Sequence, residues 1–90
     1  MTEAAVLTLV GRPDCHLCHE MRRTLERVVQ RRPLRIAEKN VDEDEELLRL
    51  YQLAIPVLLL GTTEIARYRI DEAELAARLV QLGVIDGASR

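Results

Sequence analysis

The residues best suited to reactive or metal-binding chemistry form one pentapeptide near the N-terminus, Cys15-His16-Leu17-Cys18-His19. Two cysteines separated by two residues are typical of a dithiol that forms and breaks a disulfide. Cysteine and histidine are also ligands of structural zinc, and Cys-x-x-Cys-His is the attachment signature of c-type haem. The elements that position the pentapeptide must decide between these three chemistries.

The pattern around the pentapeptide places it where a strand gives way to a helix. Val6–Val10 is short, apolar and rich in β-branched residues, which predicts a strand buried on both faces and ending at Gly11 and Pro13. Asp14 is expected to cap a helix that runs from about Cys15 to Arg31. The apolar face of this helix is expected to consist of Leu17, Met21, Leu25, Val28 and Val29.

Three more strands are predicted after Pro33, which ends the first helix. They cover Leu34–Asn40, Val57–Leu60 and Glu64–Ile70, and a tight turn at Gly61–Thr63 joins the last two. The order is β-α-β-α-β-β-α. A right-handed crossover makes the first two strands parallel, and the closing hairpin adds an antiparallel edge. The predicted fold class is therefore α/β, with one four-stranded mixed sheet flanked by helices on both faces.

The second helix is predicted from the acidic stretch that follows the second strand. Asp42 and Glu45 have the spacing of a capping box, and Ala54-Ile55-Pro56 breaks the helix near Leu53. Its apolar face is expected to consist of Leu47, Leu48, Leu50, Tyr51 and Leu53.

The last helix is predicted to start where Asp71 and Glu74 form a cap and to be closed by Gly83. It carries Leu75, Leu79 and Leu82. Residues 85–90 are expected to form a frayed tail. The whole chain, residues 1–90, is expected to be a single domain with its core between about residues 6 and 82.

Composition narrows the function classes. The chain has 90 residues and a formal net charge of −2, so its charge gives no reason to expect nucleic acid or an anionic membrane as a partner. No stretch approaches the roughly 20 apolar residues of a membrane span, and Met1–Val10 lacks the pattern of a secretory signal. We therefore expect a cytoplasmic monomer.

Two of the three chemistries fit these surroundings less well. Haem attachment requires export and normally a largely helical protein. Structural zinc normally has ligands in two separated pairs, whereas Cys15, His16, Cys18 and His19 lie within one turn. Successive residues of a helix diverge by about 100°, so these four side chains cannot converge on one ion. A metal shared between two copies of the chain, or an iron–sulfur cluster bridged with glutathione, stays open.

The dithiol interpretation uses every local feature. In the first turn of a helix, unpaired N–H groups and the positive end of the helix dipole stabilise a thiolate at Cys15. Arg12, His16 and His19 add positive charge nearby, and we expect His16 to tune the thiolate and His19 to be merely exposed. Cys15 is thus expected to be the nucleophile. Cys18, one turn further in, is expected to face the protein and to act as the resolving cysteine.

With these elements in place, the chain resembles a glutaredoxin-like member of the thioredoxin superfamily. The resemblance runs from about Val6 to Leu82 and rests on "LTLVGRPDCHLCHEM", "NVDEDEELLRLYQLAIPVLLL" and the hairpin and helix that follow. It implies a cis peptide bond between Ile55 and Pro56, with Ile55 as a backbone docking residue. It also implies that Arg12 contacts a glutathione carboxylate. The residues expected to bind substrate are Arg12, His16, Leu17, Ile55 and Pro56.

The chain also departs from the glutaredoxin pattern. His16-Leu17 replaces the usual Pro-Tyr between the cysteines, which favours a more oxidising couple. The stretch Arg67–Leu75 has no glycine where the family places a Gly-Gly turn for glutathione. Leu9 and Asp14 replace the buried Asp and the Trp of thioredoxins. Tyr51 and Tyr68, the only aromatic residues, are expected to pack in the core or on the sheet.

The sequence therefore predicts a thiol–disulfide oxidoreductase that acts through Cys15 and Cys18. Its substrates would be disulfide-containing proteins or glutathione mixed disulfides. No bound cofactor or resident metal is expected, and glutathione or a thioredoxin-reductase-type system would supply electrons. The alternatives are an iron–sulfur or metal-binding protein and a non-catalytic redox-sensing adaptor of the same fold.

Overall fold

A computed structural model of the chain describes residues 5–30 and 32–85. Its strands are β1 (Ala5–Gly11), β2 (Leu34–Asn40), β3 (Val57–Leu60) and β4 (Thr63–Arg67). Its α-helices are α1 (His16–Val29), α2 (Glu45–Tyr51) and α3 (Glu72–Gln81), and a single 3₁₀ turn covers Val41–Glu43. None of the helices in the described ranges is long and apolar enough to cross a membrane.

The four strands form one mixed sheet in the order β2-β1-β3-β4. β1 and β2 are parallel, while β1 pairs with β3 and β3 with β4 in antiparallel fashion. This confirms the predicted α/β fold class. At one edge of the sheet, the upper edge, Gly11 pairs with Asn40, Val10 with Val57, and Val57 with Arg67. The strand ends at Gly11, Asn40, Val57 and Arg67 therefore lie together.

Alternate residues of the strands build a core on each face of the sheet. Leu7, Leu9 and Leu58 pack on one face with the buried residues of α1 and α3. Val10 and Val57 pack on the opposite face with residues of α2. Helices therefore cover both faces of the sheet, as predicted. Each fully buried leucine or valine contributes roughly 1.5–3 kcal/mol relative to an exposed one, so the two layers together hold the C-terminal end of β1 in place.

The start of α2 corrects the predicted capping box. Asn40 caps the 3₁₀ turn, where its Oδ1 accepts a hydrogen bond from the N–H of Asp42 at 2.9 Å. Asp44 then caps α2 by accepting a hydrogen bond from the N–H of Leu47 at 3.0 Å. Because the 3₁₀ turn uses up residues 41–43, the helix begins later than predicted and Asp42 is free for another role.

The apolar face predicted for α2 is only partly buried. Leu47, Leu48 and Tyr51 pack against the second core, in agreement with the packing role predicted for Tyr51. Leu50 lies on the flank of the helix and Leu53 beyond its end, and both are exposed. The later start and the end at Tyr51 leave α2 only two turns, which present one narrow face to the sheet.

Two further element boundaries differ from the predictions. Helix α1 ends at Val29, and the predicted end at Arg31 lies outside the described residues. Strand β4 ends at Arg67 rather than Ile70, because Tyr68 has a positive φ of 68° that turns the chain out of the sheet. Tyr68 itself is exposed, so the prediction that it packs in the core or on the sheet is wrong.

The C-terminal helix largely agrees with its prediction. The Asp71 carboxylate accepts a hydrogen bond from the N–H of Glu74 at 2.7 Å, and Gly83 has a φ of 75° just beyond the helix. Leu75 and Leu79 are fully buried, whereas Leu82 lies after the helix and is exposed. At the other end of the chain, Val6 is exposed, so β1 is not buried on both faces throughout. The predicted tail beyond residue 85 lies outside the described residues.

Candidate functional site

Cys15 is the N-cap residue of α1. Its backbone is extended, with φ −96° and ψ 113°, and its Sγ accepts a hydrogen bond from the N–H of Cys18 at 3.1 Å. This corrects the expectation that Asp14 caps the helix. The first turn contains no acidic side chain, so the positive end of the helix dipole is not offset there. A negative charge on the Cys15 sulfur would be stabilised by the same N–H and dipole.

Cys18 lies one turn into α1 and is almost fully buried, with 4% of its surface exposed. It packs directly on the last residue of β1. A Cβ atom added to Gly11 would lie 2.6 Å from Cys18 Sγ and 3.0 Å from Cys18 Cβ. Only glycine therefore fits at position 11 without displacing Cys18.

Sequence reasoning treated Gly11 merely as the end of the first strand and missed this packing role. The available signal was a glycine directly after an apolar strand, because glycine at a strand often marks a close approach by another group.

The two cysteines form a closed pair. Their sulfurs are in disulfide contact, and their Cα atoms are 5.2 Å apart, within the range in which a disulfide closes without backbone movement. Cys15 is half-buried and Cys18 is buried. Cys15 is therefore the more exposed member of the pair.

Arg12 anchors the loop between β1 and α1. Its Nε and Nη2 donate hydrogen bonds to Oδ2 and Oδ1 of Asp42 at 2.9 and 3.0 Å. The hydrogen bonds from Arg12 lower the pKa of the Asp42 carboxyl, and those to Asp42 raise the pKa of Arg12. The guanidinium expected to bind a substrate carboxylate thus already holds one from this chain. Sequence reasoning missed this role of Asp42, which lies thirty residues away.

The two histidines of the pentapeptide point to different partners. His16 is strongly exposed, at 81% of its side chain, and its Nε2 lies 3.0 Å from Oε2 of Glu20. His19 is also exposed, as expected, but its Nε2–H donates a hydrogen bond to the carbonyl oxygen of Pro13 at 2.7 Å. His19 therefore ties the loop before Cys15 to the first turn of α1, a contact that no sequence signal indicated.

The segment before β3 reaches the same edge of the sheet. The peptide bond between Ile55 and Pro56 is cis, and Pro56 is buried. Pro56 precedes Val57, which pairs with Val10, so Pro56 and Gly11 are the next positions outward from that pair. The proline thus lies at the upper edge together with the glycine on which Cys18 packs. Ile55 is half-buried and packs against the second core.

Two open clefts flank the N-terminal half of α1. One, of about 470 Å³, lies toward β2 and is lined in part by Arg12, Cys18, His19 and Lys39. The other, of about 440 Å³, lies toward the β4–α3 connection, and its lining includes Leu17, Met21, Tyr68 and Ile70. Leu17, from between the cysteines, thus belongs to the second cleft. Across residues 5–30 and 32–85, no group of three or more His, Cys, Asp or Glu side chains is arranged to hold a metal ion.

This fold, with its Cys-x-x-Cys pair at the start of a helix, defines a thioredoxin-like protein. Residues 6–80 match the family described as the glutaredoxin-like domain (DUF836). The chain belongs to this glutaredoxin-like family, which confirms the resemblance found in the sequence. A search of curated proteins gave no match.

Solved structures agree with this assignment. Protein Ne2328 from Nitrosomonas europaea superposes with a TM-score of 0.70 at 32% identity, over 86% of this chain and 93% of that one. A target protein from X. campestris gives a TM-score of 0.71 at 29% identity, over 83% of this chain and 96% of that one. Thioredoxin-2, a component of the malaria parasite protein secretion machinery, gives 0.65 at 17% identity, over 90% and 85%. This last likeness shows the fold alone.

Proposed function

We propose that the protein is a thiol–disulfide oxidoreductase that acts on disulfide-containing proteins or glutathione mixed disulfides. One observation carries the proposal: the sulfur of the half-buried Cys15 caps a helix and is in disulfide contact with the buried Cys18. This arrangement supports a nucleophile held ready by backbone N–H groups and a second thiol kept from solvent until it is needed.

The reaction starts from the reduced pair. The Cys15 thiolate attacks one sulfur of the substrate disulfide, a new S–S bond forms, and the other substrate sulfur leaves as a thiolate that takes up a proton. Cys18 then loses its proton and attacks the Cys15 sulfur. The second substrate sulfur leaves in its turn. Two electrons have passed from the Cys15–Cys18 pair to the substrate, and the pair ends as the disulfide seen in the structure.

The substrate is proposed to contact Arg12, His16, Leu17, Ile55 and Pro56. The position of Pro56 at the upper edge and the place of Leu17 in the second cleft support their part in this set. A thiol reductant must restore the dithiol, and we assign this role to glutathione or to a thioredoxin-reductase-type system. We further propose that the protein works as a monomer in the cytoplasm, where such reductants are present.

A mixed-disulfide trap tests the proposal. Reduced Cys18→Ser protein is mixed with a peptide that contains one disulfide, and its intact mass is measured before and after addition of dithiothreitol. We expect one peptide half to be attached at Cys15 and to be released by dithiothreitol, because no thiol remains to resolve the adduct.

The matched control is Cys15→Ser, which keeps Cys18 as the only thiol. We expect no adduct in the same time, because Cys18 is buried. Failure of Cys18→Ser to form the adduct, or equally fast trapping by Cys15→Ser, contradicts the proposed roles. An adduct that forms only after a chelator is added points instead to a metal-binding protein.

A further inference from the structure

Tyr68 holds a backbone conformation that suits glycine. Its φ is 68°, and among residues 5–30 and 32–85 it is the one non-glycine residue with positive φ. In this region the Cβ of an L-residue crowds the following carbonyl oxygen, and a bulky side chain there is a marked exception. The other two positive-φ positions, Gly61 and Gly83, are glycines. The chain therefore tolerates strain at residue 68 that it avoids elsewhere.

This strained residue forms a hydrogen bond to each end of the segment Leu53–Pro56. The Tyr68 N–H donates a hydrogen bond to the carbonyl oxygen of Pro56 at 2.8 Å. The Tyr68 hydroxyl donates another to the carbonyl oxygen of Leu53 at 3.2 Å. The backbone and the side chain of a single residue are thus hydrogen-bonded to the two ends of the segment that contains Ile55.

Within this segment Ala54 is buried and its N–H donates a hydrogen bond to the carbonyl oxygen of Tyr51 at 2.8 Å, whereas Leu53 projects outward. The Leu53 side chain is 88% exposed, and α2 ends two residues earlier, at Tyr51. Tyr68 also lines the second cleft, together with Leu17 from between the cysteines. Tyr68 therefore joins two parts of the upper edge, the segment before β3 and the cleft beside the cysteine pair.

A glycine at position 68 would adopt this φ without strain and would still donate its N–H to Pro56. It would lack the hydroxyl that reaches Leu53 and the rest of the aromatic side chain. Backbone strain that persists beside a site is an indication of function, since the surrounding structure must maintain it.

We propose that Tyr68 is a positioning residue that holds the segment Leu53–Pro56 for docking of polypeptide disulfides, without itself entering the exchange. The proposal rests on the proposed oxidoreductase function. It implies that Tyr68 governs the affinity for a substrate large enough to lie on this segment. A small disulfide that touches only Cys15 gains nothing from it.

The test measures single turnovers with pre-reduced protein and no added reductant. Two probes are used, a synthetic peptide cyclised through one disulfide and the small hydroxyethyl disulfide. Rates at increasing peptide concentration give a half-saturation concentration and a limiting rate. We expect Tyr68→Phe, which loses one neutral hydrogen bond, to raise the half-saturation concentration for the peptide about threefold. Tyr68→Gly, which also loses the ring, should raise it by about tenfold or more.

Three readouts separate positioning from a general structural role. The limiting rate with the peptide, the rate with hydroxyethyl disulfide and the reduction potential should stay at the wild-type values in both variants. Tyr68→Gly should melt no lower than the wild type, because it relieves the strained φ. Tyr68→Ala should bind the peptide as poorly as Tyr68→Gly but melt lower, because its Cβ keeps the strain.

Tyr51→Phe is the control, since Tyr51 is the other tyrosine and packs in the second core. It should leave all kinetic values unchanged. A Tyr68→Gly protein with the wild-type half-saturation concentration, or one that slows both probes equally, overturns the positioning role while exchange itself stands. A wild-type protein that reacts with neither probe refutes the proposed function, and the role of Tyr68 falls with it.

Discussion

The turns at the two edges of the sheet differ in the type of residue that adopts a positive φ. At the lower edge, where β3 turns into β4, the positive φ of 63° belongs to Gly61, which has open space around its Cα. At the upper edge, beside the cysteine pair, a similar φ belongs to Tyr68. A turn that only connects two strands uses the residue with least strain. A turn beside the candidate site keeps a side chain at the cost of strain.

The helix caps differ between the cysteine pair and its neighbours at the upper edge. Asp44 and Asp71 cap α2 and α3 with carboxylates, which are among the strongest capping groups. Helix α1 is capped by the sulfur of Cys15. Sulfur is a weaker acceptor than oxygen, so this position gives up capping strength for a thiol. Departures from local preference thus occur at Cys15 and Tyr68, whereas the neighbouring caps Asp44 and Asp71 follow the usual preference.

The largest effect on stability is expected from replacing glycine by alanine at Gly11, which is tightly packed, compared with Gly61, which is surrounded by open space. Gly11→Ala places a methyl group 2.6 Å from Cys18 Sγ and should destabilise the protein by about 2 kcal/mol, as overpacking does. It should also slow closure of the disulfide because Cys18 must move. Gly61→Ala meets no neighbouring atom and should cost about 1 kcal/mol through its positive φ alone.

Urea unfolding of both reduced variants measures the two free energies, and the rate of disulfide closure is measured in parallel. Gly61→Ala serves as the control, with closure at the wild-type rate. A Gly11→Ala protein that matches the wild type in stability and in closure would show that Cys18 does not pack on β1 as described.

A smaller effect is expected from the helix caps. Asp71→Ala should lower the free energy of unfolding by about 1 kcal/mol, because the N–H of Glu74 loses its partner. Cys15→Ser should not destabilise the reduced protein, since serine is a strong capping residue, yet it should abolish exchange. Thermal unfolding and the peptide assay check both variants. If Cys15→Ser unfolds more easily than Asp71→Ala, the sulfur has a structural role beyond capping.

The smallest effect is expected from the exposed pair between Arg12 and Asp42. The pKa of Asp42 is lowered by its hydrogen bonds to Arg12, so the pair stabilises the folded state above the ordinary carboxyl pKa of about 4. This stabilisation is lost as the pH falls through the lowered pKa. The wild type should melt slightly higher than Asp42→Asn at pH 7, and the difference should vanish in acid.

Melting curves from pH 7 to pH 2 at low salt test this, because salt screens exposed pairs. Glu43→Gln is a control on the same turn, because it removes a neighbouring carboxylate that does not take part in the pair between Arg12 and Asp42. A difference between wild type and Asp42→Asn that grows in acid would contradict the assignment.

Much of the fold could be predicted because hydrophobic patterns are local. Strands β2 and β3 have the bounds expected from alternation and from an apolar run after Pro56. The end of β4 could not be predicted, because "EIARYRI" keeps alternating past Arg67 while the backbone turns at Tyr68. The start of α2 lies in an acidic run with several possible caps, and only the 3₁₀ turn selects Asp44.

For the candidate site, the cysteine pair followed from its spacing. The contacts that position the surrounding segments could not be predicted, because they connect residues far apart in the sequence. Arg12 meets Asp42 thirty residues later, and the hydroxyl of Tyr68 meets the carbonyl group of Leu53 fifteen residues earlier. Such pairs become neighbours only when the strands are assembled, so a single sequence offers no local pattern that reveals them.

The most direct test of the central claim is a redox titration of the purified protein. The protein is equilibrated with defined ratios of reduced and oxidised glutathione, its free thiols are alkylated, and the attached groups are counted by mass. We predict one two-electron transition in which Cys15 and Cys18 gain or lose their alkyl groups together, at a potential between about −270 and −120 mV, the span of related dithiols. A pair that resists oxidation, or that is alkylated only after a chelator is added, would contradict the oxidoreductase account.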